Sequence, residues 1–390
     1  MAGPPLSHAA VSGQPRIHWQ DGERAHEARW RSEKGIAPPA RVLLIDDTIT
    51  ADRAYRLACE GSDLLWQGDF QAARQLLLAM ARRVDAKTRK SLPVGAALAE
   101  AFHQHRLAQS QRARTLGMLL LPLARDYRIP LRRAPDVRQA CTEAYGETGL
   151  DADDSVVSLR ELLGLIGAHE WRKKGVEVAA LKARVHPHYG VFAPVRDEYV
   201  GLVATSPFAT PPAHAFDIGT GTGVLAAVLA ARGVPTVIAT DTDPRALACA
   251  AENIARLNLG AQIELVQANL FPEGRAALVI CNPPWIPARP SSPIEAAIFD
   301  PDSRMLRGFL DGLTAHLTPD GEGWLILSDI AEHLGLRSRA TLLQYIEQAG
   351  LVVVDRLDAR PTHPRVADTS DPLHAARAAE VTSLWRLRAK

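Results

Sequence analysis

The stretch "FDIGTGTGVLAAVLAA", residues 216–231, decides the fold. A short apolar run carrying one acid, three glycines at alternate positions, and then small and branched apolar residues read as a strand, a tight turn and a buried helix. Gly219, Gly221 and Gly223, with Thr220 between the first two, let the backbone turn sharply and approach a ligand with no Cβ in the way. The spacing is GxGxG, not the GxGxxG that seats a pyrophosphate on a helix N-terminus. Asp241, 22 residues beyond Gly219, ends the next strand, "TVIATD". A carboxylate there accepts hydrogen bonds from two ribose hydroxyls. Asp243, just before Pro244, is the better cap for the helix that follows.

Outward from this turn, strands and helices alternate. Strands are expected at 215–219, 236–241, 263–269, 277–282, 323–329, 351–358 and 381–388, and helices at 223–232, 244–257, 303–317 and 337–349. Short apolar runs alternating with helices make a parallel sheet covered on both faces. Only a long loop, 359–380, separates the last two strands, so these should pair antiparallel. The expected fold is a doubly wound, seven-stranded, Rossmann-like α/β domain over residues 185–390.

The fourth of these strands runs into "LVICNPPWIPA", residues 278–288. Proline gives no N–H to a ladder, so the strand stops abruptly and presents Asn282, two prolines and an aromatic ring at its end. "DIGTGTG", "ATDTDPRAL", "VQANLF" and "VICNPPWIP", in this order, resemble a class I S-adenosylmethionine-dependent methyltransferase. More narrowly they resemble the "methyltransferase small" group, which holds the HemK/PrmC-type glutamine methyltransferases and base N-methyltransferases of ribosomal RNA. The likeness covers roughly residues 185–330. It implies S-adenosylmethionine as cofactor, with Asp217 helping to hold its methionine end. It also puts Asn269, with Leu270 beside it, against the adenine amino group, where many relatives carry Asp.

In the resembled group this motif serves methylation of planar nitrogens, whose delocalised lone pair attacks a sulfonium poorly. If the Asn282 side-chain oxygen and the Pro283 carbonyl accept the two N–H bonds, the lone pair is aimed at the methyl group and the developing charge meets oriented dipoles. Pro283 and Pro284 fix the turn. Trp285 offers a face on which a flipped base or an amide can stack.

"HPHYGVFAPVRDEYVGLV" (186–203) resembles the segment that closes over the cofactor pocket in HemK-type enzymes, matching at Phe192, Pro194 and Asp197. Phe192 and Pro284 are expected against the substrate. His186 and His188 have no partner at metal-ligand spacing, so no metal is expected. The loop after Trp285 should shape the substrate entrance. HemK-type enzymes carry glycines near "FDPDS" (299–303), and this chain does not.

The first half reads differently. Residues 1–40 are rich in Pro, Gly and charge, and a poorly ordered start is expected. Residues 41–180 read as a mainly helical region. Within it "GSDLLWQGDFQAARQLLLA" resembles a single tetratricopeptide hairpin without a second copy, so an ordinary helical hairpin is preferred. "GETGLDADDS" (146–155) is a plausible boundary. Residues 1–185 carry 28 Lys and Arg against 22 Asp and Glu, a net +6, and the remainder carries −5. "ARRVDAKTRK" (81–90) with Arg106, Arg112, Arg114, Arg125, Arg128, Arg132 and Arg133 could track phosphates, or be a solvated face.

Four scattered cysteines without a CxxC pair argue for reduced thiols and a cytoplasmic setting, with Cys281 a core residue. No apolar run reaches the roughly 18–20 residues that span a bilayer. The start lacks the order of a secretory signal. The sequence therefore predicts a two-part N-methyltransferase. Its preferred target is an exocyclic base amine in RNA or DNA, chosen by the basic half. A protein glutamine is the alternative target, and a non-catalytic S-adenosylmethionine-binding scaffold the alternative role. A nicotinamide enzyme fits less well, because nothing supplies polar partners for a hydride acceptor.

Overall fold

The computed structural model describes residues 15–89, 98–149, 152–208, 211–290, 293–362, 368–369 and 371–390. The chain divides into two units: residues 1–90 with 111–166, and residues 91–110 with 167–390. The division falls neither at the polar stretch 146–155 nor near residue 180.

The first unit is built on a sheet, which corrects the expectation of a helical region. Its strands are β1 (Arg16–Asp21), β2 (Arg24–Arg31), β3 (Val42–Ile45), β4 (Asp63–Trp66), β5 (Leu119–Leu123) and β6 (Ser155–Ser158), ordered β1-β2-β6-β5-β4-β3. The helices are α1 (Ala51–Cys59), α2 (Phe70–Arg89), α3 (Leu98–Gly117), α4 (Arg138–Tyr145) and α5 (Leu159–Lys174), of which α3 and α5 run on across the division. β3, β4 and β5 run parallel, and β5 pairs antiparallel with β6. Leu64, Leu65, Leu119, Leu120 and Leu121 are buried, so the leucines read as helix lie in strands covered on both faces. "DLLW" is a strand where the first helix of the helical hairpin was expected, and the tetratricopeptide likeness falls with it. The poorly ordered start is corrected too: β1 and β2 form a hairpin through Gly22 at φ 59, the conformation a two-residue turn needs. Residues 1–14 lie outside the described residues.

The second unit holds β7 (Val176–Val178), β8 (Ala183–Val185), α6 (Glu198–Thr205), β9 (His214–Ile218), α7 (Val224–Ala231), β10 (Thr236–Asp241), α8 (Pro244–Arg256), β11 (Ile263–Gln267), β12 (Ala276–Cys281), α9 (Arg304–His316), β13 (Leu317–Ser328), α10 (Ile330–His333), α11 (Arg339–Gln348), β14 (Leu351–Ala359), α12 (His374–Ala379) and β15 (Thr382–Ala389). Seven strands form one sheet in the order β11-β10-β9-β12-β13-β15-β14. β11 through β13 are parallel, and β15 runs antiparallel to both neighbours, as the loop between the last two strands implied. α7 is apolar all round and buried against the sheet, which is why its sequence shows no polar face.

Register positions the site. Ile218 stands beside Thr240 of β10 and Cys281 of β12, so the residues that follow, Gly219, Asp241 and Asn282, leave the sheet in one row. Asp241 stands beside Gln267, which brings the turn after β11 to the same edge. The first half of α3 belongs to this unit, where Phe102 packs with Ile330, Leu334 and Leu373. Among the described residues, no helix is long and apolar enough to cross a membrane.

Candidate functional site

A cavity of about 1020 Å³ opens along that row. Of the residues singled out from the sequence, Phe192, Gly219, Thr220, Gly221, Asp241, Asn269, Leu270, Asn282, Pro283, Pro284 and Trp285 all line it. Asp217 and Gly223 do not: they lie one layer beneath.

The glycines are needed for different reasons. Gly219, Gly221 and Gly223 have φ 73, 55 and 80, all left-handed. A Cβ on Gly223 would come within 3.2 Å of the Ala250 Cβ and 3.3 Å of its Cα, so this glycine lets α7 and α8 approach. A Cβ on Gly221 would meet nothing within 4 Å, so its bare backbone faces open cavity. The Gly219 and Thr220 N–H groups donate to the Thr240 carbonyl, at 2.9 and 2.8 Å, which ties the turn to β10.

Asp217 is 1% exposed. Its Oδ2 accepts the Thr220 hydroxyl at 2.7 Å and the Ala226 N–H at 3.0 Å. Burial pushes its carboxyl up to about 6 and the Asp241 charge adds to this, against the opposing pull of the two hydrogen bonds. Asp241 accepts the Gly221 N–H on Oδ2 and the Asp243 N–H on Oδ1, each at 3.0 Å. The cap of α8 is Asp243, whose side chain accepts the Arg245 N–H, as its place before Pro244 implied. Thr240 Oγ1 donates to the Leu270 carbonyl at 2.5 Å, and Leu270 is held at φ 72 with Asn269 beside it on the cavity wall.

At the other end Trp285 donates its indole N–H to the Asn282 Oδ1 at 2.9 Å. One acceptor position of that amide oxygen is therefore taken by the ring, which fixes the direction of the others. The Arg196 guanidinium lies 4.9 Å above the Trp285 ring, so one face of the ring is covered. Arg337 donates to the Trp285 carbonyl at 3.3 Å and to the Ser303 hydroxyl at 3.2 Å. Asp302 and Ser303 have φ 57 and 53. Asp300 accepts the Met305 and Leu306 N–H groups, both at 3.1 Å, and holds the start of α9.

His186 and His188 are second-layer structure. The His188 Nε2 lies 2.7 Å from Glu252, and the His186 Nδ1 lies 2.6 Å from the Arg172 carbonyl. Burial alone would raise the Glu252 carboxyl, but hydrogen bonds from Arg256, His188 and Arg172 outweigh it and hold the group down at about 2. Among the described residues, no group of three or more His, Cys, Asp or Glu side chains could hold a metal ion. Cys281 is fully buried, and burial raises its thiol well above the usual range, in keeping with a core residue. Sequence reading missed Arg196, Glu380 and Trp171, all on the cavity wall. Arg196 and Glu380 meet only because the last strand turns back along the sheet, and no local pattern records that.

The glycine turn open to the cavity, the Asp241 carboxylate beside it and the Asn269–Leu270 turn fit a nucleoside bearing an amino-acid tail. The family model of the ribosomal protein L11 methyltransferases matches residues 201–285, ending on Trp285. A release factor glutamine methyltransferase of Cereibacter sphaeroides is 35% identical over 180 residues, covering 42% of this chain and 63% of the relative. A ribosomal protein L11 methyltransferase of Pelotomaculum thermopropionicum is 42% identical over 77 residues, 19% of this chain and 25% of the relative. The chain thus spans less than two thirds of either. A solved ribosomal protein L11 methylase of Lactobacillus delbrueckii covers 49% of this chain and 77% of its own length at 19% identity, with a TM-score of 0.35. In its glycine turn and its sequence relatives, the C-terminal unit is similar to the class I S-adenosylmethionine-dependent methyltransferases.

Proposed function

We propose that the protein methylates a planar amide nitrogen in another protein, of the glutamine side-chain kind, with the N-terminal unit selecting that protein. The observation that carries the reading is the Asn282 oxygen, oriented by the Trp285 N–H on the wall of the cofactor cavity. When bound, S-adenosylmethionine supplies the methyl group as a sulfonium electrophile. Gly221 and Asp241 hold its ribose end and Asp217, through Thr220, the shape of the turn beneath it. Asn282 and the Pro283 carbonyl accept the substrate N–H groups and aim the nitrogen lone pair, and their dipoles stabilise the charge that develops there. The proton released from the nitrogen leaves to solvent.

Two observations favour a protein target over a base. The relatives' names are those of enzymes acting on a release factor and a ribosomal protein. Part of the basic stripe is neutralised within the chain: Arg83 donates to Asp52 at 2.6 Å, Arg112 to Asp85 at 2.7 Å and Arg133 to Asp69 at 2.7 Å. Arg106 lies over the Phe299 ring, at 3.9 Å. Arginines committed to carboxylates release few counterions from a nucleic acid. The missing glycines near residues 299–303 weigh little against a glutamine, because Asp302 and Ser303 adopt the left-handed backbone glycine would supply. Four free cysteines support a reducing, cytoplasmic setting.

The test is incubation with methyl-labelled S-adenosylmethionine and a fractionated lysate. Label that survives nuclease, is lost to protease and is recovered as N5-methylglutamine supports the reading. Label lost to nuclease overturns it in favour of a base.

A further inference from the structure

We infer that Arg196 is a positioning residue of the acceptor site, acting through Trp285 on Asn282, and that Glu198 and Glu380 hold it for that task. The inference rests on the methyl-transfer reading above.

Arg196 lies in the segment before α6, and its Nε donates to the Glu198 Oε1 at 2.6 Å. One terminal nitrogen donates to the Glu380 Oε1 at 3.0 Å and the other to the Thr382 hydroxyl at 3.4 Å. Glu380 also accepts the Ser328 hydroxyl, at 2.5 Å, so the guanidinium is tied to the ends of β13 and β15. Both glutamate side chains are 4% exposed. Two buried carboxyl groups share one arginine, and the Glu198 Oε2 has no partner among the described residues. Such a cluster is poor value for stability, since apolar side chains of similar volume often do as well or better. It does fix a guanidinium plane to the sheet.

What that plane holds is the ring of Trp285, 4.9 Å away, and the ring in turn donates to Asn282. A cation over an indole face resists tilting of the ring, because tilt removes the charge from the quadrupole. A tilted ring would give up its N–H bond to the Asn282 Oδ1. The amide would then be free to rotate and present its NH₂ where an acceptor is needed. Arg196 and Glu380 themselves reach the cavity wall, so the chain of contacts ends at the place where the substrate nitrogen has to be aimed.

The test combines an equilibrium reading with a kinetic one. In protein labelled with ¹⁵N-tryptophan, the Trp285 indole N–H is assigned by its loss in Trp285→Phe. Arg196→Met should speed its hydrogen exchange by about tenfold or more, the scale of a desolvated cation–π contact, and Arg196→Lys should restore part of the protection. In single-turnover methyl transfer Arg196→Met should slow the reaction by a similar factor and leave S-adenosylhomocysteine affinity within about threefold. In the Trp285→Phe background, which has already lost the indole donor, adding Arg196→Met should cost little more. Unchanged indole exchange in Arg196→Met, or fully additive kinetic losses, would overturn the inference. Should Arg196→Met fail to fold, Glu380→Gln, which keeps the side-chain shape and an oxygen for Ser328, carries both readings. If wild type methylates nothing offered, the methyl-transfer reading fails, while the exchange experiment still decides whether Arg196 positions Trp285.

Discussion

Asp241 accepts the Gly221 N–H at 3.0 Å, so the carboxylate that ends the second parallel strand is bonded to the turn that ends the first. Its other oxygen takes the Asp243 N–H at the start of α8. The side chain ties the two loops together on the wall of the cavity, where we propose that it takes the ribose.

Asp241→Ala should therefore weaken S-adenosylhomocysteine binding by roughly 1.5–3 kcal/mol for each charged hydrogen bond lost. Asp241→Asn, which keeps one oxygen, should fall between. Titration calorimetry reads both, and unchanged affinity in Asp241→Ala would remove the ribose role.

On the proposed reading, Asn282→Ala removes an acceptor used most strongly in the transition state. Turnover should drop on the order of a hundred- to thousandfold, with cofactor affinity little changed. Trp285→Phe keeps the ring and loses the donor, so it should cost less than Asn282→Ala. Near-normal turnover in a folded Asn282→Ala protein would make the motif structural.

Gly221 and Gly223 should respond differently to the same change. Gly223→Ala adds to left-handed strain a Cβ pressed on the Ala250 Cβ and Cα, and should destabilise by about 2–5 kcal/mol. Gly221→Ala meets nothing in the protein, so its stability loss should be limited to left-handed strain of about 1–2 kcal/mol. Its methyl enters the cavity, and ligand affinity should fall. Urea midpoints alongside calorimetry separate the two, and the same pattern in both mutants would refute the distinction.

Asp217 makes stability depend on pH. Its folded pKa is raised from 3.8 to about 6, so its contribution is complete below about pH 4 and is lost as pH rises through about 6. Asp217→Asn has no such loss. The melting temperature of Asp217→Asn minus that of wild type should climb between about pH 4 and pH 7 and then level off, the full span amounting to about 3 kcal/mol. Asp63, raised by burial to about 6, titrates in the same window in both proteins and cancels in the difference. A difference that stays flat would return Asp217 to the ordinary carboxylate range.

Charge reversal at Arg83 and Arg112 should leave the salt dependence of RNA binding unchanged, because both guanidinium groups already face carboxylates. A shallower salt slope in the double mutant would restore the phosphate-tracking reading.

The C-terminal unit was legible because β9, β10 and β13 end in short apolar runs closed by a glycine or an acid, with a helix within a few residues, and β12 is closed by Asn282 and two prolines. The row of Gly219, Asp241 and Asn282 follows from those endings alone. The N-terminal strands were hidden by composition: "DLLW" and "LLLPL" are leucine-rich and abut amphipathic helices, so the helical period runs through them. The missed signal was the brackets: Gly61-Ser62-Asp63 before one run and Gln67-Gly68-Asp69 after it, and Gly117 ahead of the other. Buried position, not intrinsic propensity, decided those segments. The Arg196–Glu380 contact had no signal to miss.

The interleaved course of the chain between its two units constrains synthesis. The first unit is complete once residue 166 has been made, but it is interrupted by residues 91–110, which belong to the second. Phe102 waits for Ile330 and Leu334, made more than two hundred residues later. That apolar ring stays without its native neighbours while most of the second unit is still being made, the circumstance in which chaperones capture nascent chains. No single cut separates the units either: a fragment ending at residue 166 carries an orphaned half-helix, and one beginning at 167 has lost it.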